Sequence, residues 1–401
     1  MSGFSRTVIL MPQTVKSTSR MDGIQAPIIA VIGDLIRRTP GTISLGQGVV
    51  HYGPPPAALS AAAGALGQSS THDYQAASGQ PALLAAIERK LRRDNGIDVA
   101  RGSRMMVTAG GNMAFVHAIL ATTGPDDEVI LPVPFYFNHE MAIQMAGCRV
   151  VPVATDSRYQ LDVDAIRAAT GPRTRAVVTI SPNNPTGAVF PEQSLRDVNT
   201  LCRDRGLYHI SDEAYEYFTY GSAPHVSPGS FPGAEGHTIS LYSLSKTYGM
   251  AGWRVGYMAY PEPLAAAMAK VQDTVLICPP IIAQVAAAAA MEAGPAYCRP
   301  HVAALAEVRD VVLAALRSLE PLCSVPPAEG AFYCCLRVNV EADPMRVAER
   351  LIREHKVAVI PATAFGLTSG CYFRVAYGAL EKATVAEGIG RLVGGLKAIL
   401  N

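Results

Sequence analysis

The strongest constraint on the fold is a rhythm in the chain. Between Arg104 and Tyr260 short β-branched runs alternate with longer helical patterns. That alternation is what a mostly parallel sheet covered by helices on both faces requires, because parallel neighbours must be joined by long crossover connections. Seven strands are expected: Arg104–Thr108, Glu128–Pro132, Arg149–Val153, Arg175–Ile180, Leu207–Ser211, His237–Tyr242 and Arg254–Ala259. Helices fill most gaps, as over Glu192–Arg205, and another precedes the sheet at Pro81–Arg93. There proline takes the first helical position and Gly96 lies beyond the end.

After the sheet, Pro263–Val275 and the alanine-rich region Ile281–Leu319 read as helical, and Gly330–Val338 and Tyr372–Ala376 read as strands of a separate α+β unit. Residues 22–56, rich in glycine and proline, show no alternation of their own and must pack on other parts of the chain. With 401 residues the chain exceeds what one hydrophobic core supports. The expected division is an arm and part of a small domain over 1–50, a large domain over 51–298, and a small C-terminal domain over 299–401.

Composition narrows the partners. Lys and Arg total 34 against 33 Asp and Glu, scattered rather than clustered, so neither nucleic acid nor an anionic membrane surface is expected. The longest apolar stretch, Ile281–Met291, is interrupted by Gln284 and is too short to span a bilayer. The eight cysteines contain no C-x-x-C pair, which suggests reduced thiols, a cytoplasmic location and no metal site. Residues 1–21 carry Arg6, Lys16 and Arg20 without an acid, but Val8–Met11 is too short for a secretory core before Pro12, so an ordinary arm is expected.

The polar residues that carry chemistry follow the carboxyl ends of the strands, where open parallel sheets bind ligands. The first strand runs into Gly110-Gly111-Asn112 at a helix start, an arrangement suited to a phosphate. The second is followed by Phe135 and Tyr136, the fourth by Ser181-Pro-Asn-Asn184-Pro-Thr-Gly187, the fifth by Asp212-Glu-Ala-Tyr215, and the sixth by Ser243-Leu-Ser245-Lys246. The last continues as Ser243-x-Ser245-Lys246-x-x-Gly249-x-x-Gly252-x-Arg254-x-Gly256. Seven fixed positions match by chance on the order of once per million chains.

That segment resembles the Schiff-base motif of class I/II pyridoxal-phosphate aminotransferases of fold type I, and Asn184-Pro-Thr-Gly187 and Asp212-x-x-Tyr215 are similar to that family's other motifs, in its order. The resemblance runs from about Leu45 to Tyr377. It implies a large domain with a seven-stranded mostly parallel sheet and a smaller α+β domain built from both chain ends. Pyridoxal 5'-phosphate is then the cofactor. Lys246 would be the amine that condenses with its aldehyde, since only a primary amine can. Asp212 would hold the ring nitrogen protonated, and Tyr215 and Asn184 would hydrogen-bond the ring's phenolic oxygen. Gly111, Asn112, Ser243, Ser245 and Arg254 would bind the phosphate, and Tyr136 would stack on the ring, with His139 behind the aspartate.

Tyr74, in Asp73-Tyr-Gln-Ala-Ala-Ser-Gly79, matches a tyrosine that in the family reaches the neighbouring subunit's phosphate, which implies a homodimer with shared sites. The departure is Gln75-Ala76-Ala77, where relatives often carry proline. Arg374 and Gly48 would bind the substrate α-carboxylate, with Asn184 also in contact with the substrate. Ping-pong transfer from an L-amino acid to a 2-oxo acid is the expected reaction. Gly48-Val-Val-His-Tyr52 and Pro134-Phe-Tyr-Phe137 favour aromatic, methionine or other bulky apolar donors. Rival expectations are a C–S β-lyase on the same cofactor, an aspartate-type aminotransferase, and a ligand-sensing module. The last would place a DNA-binding domain ahead of a pattern that here begins at Leu45–Gly48.

Overall fold

The computed structural model describes residues 19–400; the expectation of an N-terminal arm falls mostly outside them. After a short strand β1 (Ile43–Ser44), seven strands build one sheet: β2 (Ser103–Thr108), β3 (Glu128–Val133), β4 (Arg149–Ala154), β5 (Thr174–Ile180), β6 (Tyr208–Asp212), β7 (Thr238–Ser243) and β8 (Gly256–Pro261). Their order is β2-β8-β7-β6-β5-β3-β4, and only β8 runs against its neighbours. Strand β9 (Cys323–Ser324), β10 (Tyr333–Val338), β12 (Ile360–Pro361) and β13 (Cys371–Ala376) form a second, antiparallel sheet, while β11 (Val357–Ala358) pairs with β1. The N-terminal segment is thereby tied to the C-terminal one.

The large sheet is covered on both faces, so its central strands are buried almost throughout rather than at alternate residues. Ala176 and Val178 of β5 join one hydrophobic cluster, with Phe115 and Ile119 of the helix Gly111–Thr122, whereas Val177 between them joins another with Leu195 and Val198 of the helix Glu192–Arg205. Successive side chains thus feed cores on opposite sides of the sheet.

Several local expectations are corrected. The last strand of the large sheet starts at Gly256, because Arg254 is left-handed (φ 54°) after a turn at Ala251–Trp253. Ala331 (φ 53°) likewise delays β10 to Tyr333. Residues 22–56 do contain an amphipathic helix, Ile28–Arg37, besides β1. The region Ile281–Leu319 is two helices, Ile281–Ala293 and Pro295–Arg317, bent by 76° about Gly294 (φ 63°). Among the described residues no single helix is long and apolar enough to cross a membrane.

Gly187 closes the two sheets onto one another. Its carbonyl accepts from Gly330 N (2.8 Å), and at φ 75° a Cβ there would lie 2.4 Å from the Tyr333 carbonyl oxygen. Gly206, which ends the helix Glu192–Arg205 at φ 65°, has open space around the same atom. Gly206→Ala is expected to cost about 1 kcal/mol from backbone strain alone, and Gly187→Ala roughly 3 kcal/mol or more, because backbone must also move. Thermal melts of the two variants should separate them clearly, Gly187→Ala being the lower.

Candidate active site

Five strand ends meet over one cavity of about 250 Å³, whose walls include Gly111, Asn112, Tyr136, Asn184, Asp212, Tyr215, Ser243, Ser245, Lys246 and Arg254. An adjoining space of about 160 Å³ shares Tyr136, Asn184, Tyr215 and Lys246 and adds Gly48, Arg374, Ile29, Phe137 and Tyr333. Twelve of the thirteen residues expected from the sequence to touch cofactor or substrate are thus brought together. The exception is Tyr74, which is 80% exposed and lines neither space. A larger cleft of about 600 Å³ beside the end of β4 holds none of these residues.

Asp212 closes β6, and its carboxylate is held from two sides. Oδ1 accepts the Ala214 N–H at 3.1 Å, and Oδ2 lies 3.1 Å from Nε2 of His139. His139 is buried on the helix Phe137–Met145 and stacks on Phe115 with ring centroids 3.9 Å apart, so the imidazole is locked in place. Lys246 sits on a single helical turn, Leu244–Thr247, begun by Ser243, whose hydroxyl accepts from Ser245 N at 3.2 Å. The Lys246 amine donates to the Gly48 carbonyl. Burial, reinforced by the cations Arg374 and Arg254, lowers its pKa to about 8 despite Asp212.

Around Gly110 the backbone is drawn in closely. Gly256 has no room for a Cβ, which would stand 2.9 Å from Gly111 N, and Gly110 packs against the guanidinium of Arg254. That guanidinium folds back to Ala251 O (2.9 Å). The backbone donors at the start of the helix Gly111–Thr122, two serines and an arginine therefore share one end of chemistry, that of an anion site.

Arg374 projects from β13 and is only 2% exposed. Its Nη1 donates to Asn184 Oδ1 (3.0 Å) and its Nη2 to Gly46 O (2.6 Å), while its centre lies 4.7 Å from the Tyr333 ring centroid and 5.0 Å from that of Phe365. Nε has no partner. Sequence reasoning missed Tyr333, whose hydroxyl is 2.8 Å from that of Tyr215. Tyr52, read from the sequence only as an aromatic favouring bulky donors, lines neither space and instead donates its hydroxyl to Lys246 O at 2.8 Å. In Ala331-Phe-Tyr-Cys-Cys-Leu336 a tyrosine reads as core; the available signal was that its strand neighbours the one bearing Arg374.

The fold and this constellation define a class of enzyme that works with a carbonyl cofactor held on a lysine. The chain belongs to the aminotransferases of class I and II, whose family model matches residues 40–392. It is 36% identical over 390 residues to an aromatic aminotransferase of Arabidopsis thaliana, covering 94% of this chain and 96% of that one. An aspartate/prephenate aminotransferase of Thermus thermophilus is 35% identical over 355 residues, or 87% of this chain and 90% of its own. The solved structure of an aspartate aminotransferase from Thermus thermophilus with maleate superimposes with a TM-score of 0.88 at 31% identity, covering 95% of this chain and all of that one.

Class I/II aminotransferases of this fold depend on pyridoxal phosphate, and the residues present fit it. A depressed lysine amine, a carboxylate fixed by a buried histidine and an anion site wall one cavity. In the cofactor-free protein, Arg374→Gln should raise the Lys246 pKa by roughly half a unit to one unit, because one repelling cation is removed while burial remains. The pH profile of reductive methylation at that amine, followed by mass spectrometry, checks this.

Proposed function

We propose that this pyridoxal-phosphate aminotransferase takes its amino group from an aromatic, methionine or other bulky apolar L-amino acid and passes it to a 2-oxo acid in a ping-pong cycle. The observation that carries the reading is the substrate end of the site. Ile29, Tyr136, Phe137 and Tyr333 wall it around one deeply buried guanidinium, that of Arg374. A dicarboxylic donor needs a second cation for its distal carboxylate, and among the described residues the only cation besides Arg374 lining that space is Lys246. The name of the Arabidopsis relative supports the same reading.

Bound in the cavity walled by Lys246 and Asp212, pyridoxal phosphate would supply an aldehyde for the amine and a ring that accepts the electron pair released at the substrate Cα. The chain's residues do the rest. Arg374 and the Gly48 backbone hold the α-carboxylate and so fix which Cα bond faces the ring. Lys246, whose amine pKa is lowered to about 8, would take the proton from Cα and return it to the cofactor's aldehyde carbon, on the far side of the transferred nitrogen. Asp212, kept in place by His139 and the Ala214 N–H, stabilises a protonated ring nitrogen. Tyr215 and Asn184 would donate to the ring oxygen, Tyr136 would cover the ring, and Gly111, Asn112, Ser243, Ser245 and Arg254 would hold the phosphate.

The same proposal assigns 51–298 to the cofactor-binding domain, with 1–50 and 299–401 building the smaller one. It also makes the enzyme a homodimer, in which Tyr74 reaches the neighbouring subunit's phosphate. The support is its exposure in the single chain, shared by Leu59 and Leu66 nearby. Eight free cysteines and no disulfide among the described residues support a cytoplasmic location.

Lys246→Ala should lose the cofactor's visible band and at least roughly 10²–10⁴-fold in rate. Steady-state kcat/KM for phenylalanine, tryptophan and methionine is expected to exceed that for aspartate. A clear aspartate preference would replace the apolar reading with an aspartate-type one, and pyruvate released from cystathionine without an oxo-acid acceptor would indicate a C–S lyase.

A further inference from the structure

The hydroxyls of Tyr215 and Tyr333 meet at 2.8 Å although the two residues belong to different sheets, Tyr215 following β6 and Tyr333 opening β10. Each phenol has one hydrogen to give, and a buried one needs an acceptor. Tyr333 is fully buried, and among the described residues its hydroxyl has no hydrogen-bond partner except Tyr215. On its other flank stands Gly48, whose missing Cβ would lie 2.7 Å from the Tyr333 oxygen, so that side offers contact but no acceptor. If Tyr215 donated, the Tyr333 hydrogen would have no acceptor among the described residues and would depend on the substrate space that Tyr333 also lines. If Tyr333 donates, its own hydrogen is satisfied and that of Tyr215 is left for whatever fills the cavity that Tyr215 lines.

We propose that Tyr333 is a positioning residue for the reaction: by donating to the Tyr215 oxygen it keeps the Tyr215 O–H aimed into the cofactor cavity and strengthens it as a donor. Hydrogen bonds in such a chain polarise one another, so a phenol that accepts one gives a stronger one. The same ring lies under the Arg374 guanidinium, 4.7 Å from its centre, so one side chain of the small sheet touches both the substrate-binding cation and the hydroxyl that serves the cofactor. Its placement therefore ties the position of the small sheet to the cofactor's electronic state. The inference rests on the proposed role of Tyr215 as donor to the ring oxygen.

The experiment is a spectral pH titration of the pyridoxal phosphate holoenzyme for the wild type, Tyr215→Phe, Tyr333→Phe and the double variant, with thermal melts alongside. A hydroxyl donated to the ring oxygen favours its ionised form, so losing or weakening that donor raises the pH midpoint of the visible band. Tyr215→Phe should raise it by about one pH unit, and Tyr333→Phe by roughly half a unit, a threefold change in the protonation equilibrium, with an unaltered melt. The double variant should match Tyr215→Phe alone, since Tyr333 acts only through Tyr215. A shift in Tyr215→Phe with none in Tyr333→Phe overturns the inference and leaves the reading of Tyr215 standing. Additive shifts in the double variant also overturn it. No shift in Tyr215→Phe removes the reading of Tyr215 itself, and the inference with it.

Discussion

A guanidinium buried without a carboxylate is the constraint around which the rest of the site is arranged. Arg374 lies on β13 in the second sheet, in register with Cys335 of β10 on one side and Ile360 of β12 on the other, so its backbone cannot drift. No acidic side chain among the described residues forms an ion pair with it. A charge in that position is costly unless neutral acceptors and aromatic faces replace water, and the chain provides Asn184, the Gly46 carbonyl, Tyr333 and Phe365. These partners come from four different stretches of sequence. Satisfying one cation thereby fixes the loop after β5, the N-terminal segment and the small sheet against each other, while the partnerless Nε leaves a demand for one more acceptor.

The same charge reaches the chemistry. With Arg254 it adds to burial in depressing the Lys246 amine, so the cation suited to a carboxylate also keeps the lysine ready to act as a base. Asp212 is held from behind as well: the buried His139 imidazole, stacked on Phe115, lies 3.1 Å from its Oδ2 and fixes the carboxylate at the end of β6.

Much of this was legible in the residues because the signals were local. Most of the seven strands are short β-branched runs, and each site residue other than Arg254, Arg374, Gly48 and Tyr74 follows a strand end within a few positions. What was not legible depends on tertiary contact. Arg254 looks like strand, yet its left-handed backbone is set by a guanidinium that folds back to Ala251 beside the glycine at 110. The helix Ile28–Arg37 hides in a Gly- and Pro-rich stretch, and its apolar face gains meaning only when Ile32 meets the small-sheet core. Tyr333 is indistinguishable from a core tyrosine until pairing between β10 and β13 sets it beneath Arg374.

The N-terminal strap joins these elements mostly through backbone, which explains its composition. Leu45 O accepts Ala376 N, Gly46 O accepts Arg374, Gly48 O accepts Lys246, and the Tyr52 hydroxyl holds the Lys246 carbonyl. Side chains at these places would intrude: a Cβ at Gly48 meets the Tyr333 hydroxyl, and one at Gly249 meets the Tyr52 carbonyl at 2.4 Å. A segment that grips the lysine and the guanidinium by its carbonyls has little freedom to vary, so discrimination between substrates falls to side chains placed just outside that grip. Ile29 on the preceding helix and Phe137 after Tyr136 occupy those positions, and both are apolar. On the proposed reading, binding of the common amino-acid core and choice among side chains are therefore carried by different parts of the chain.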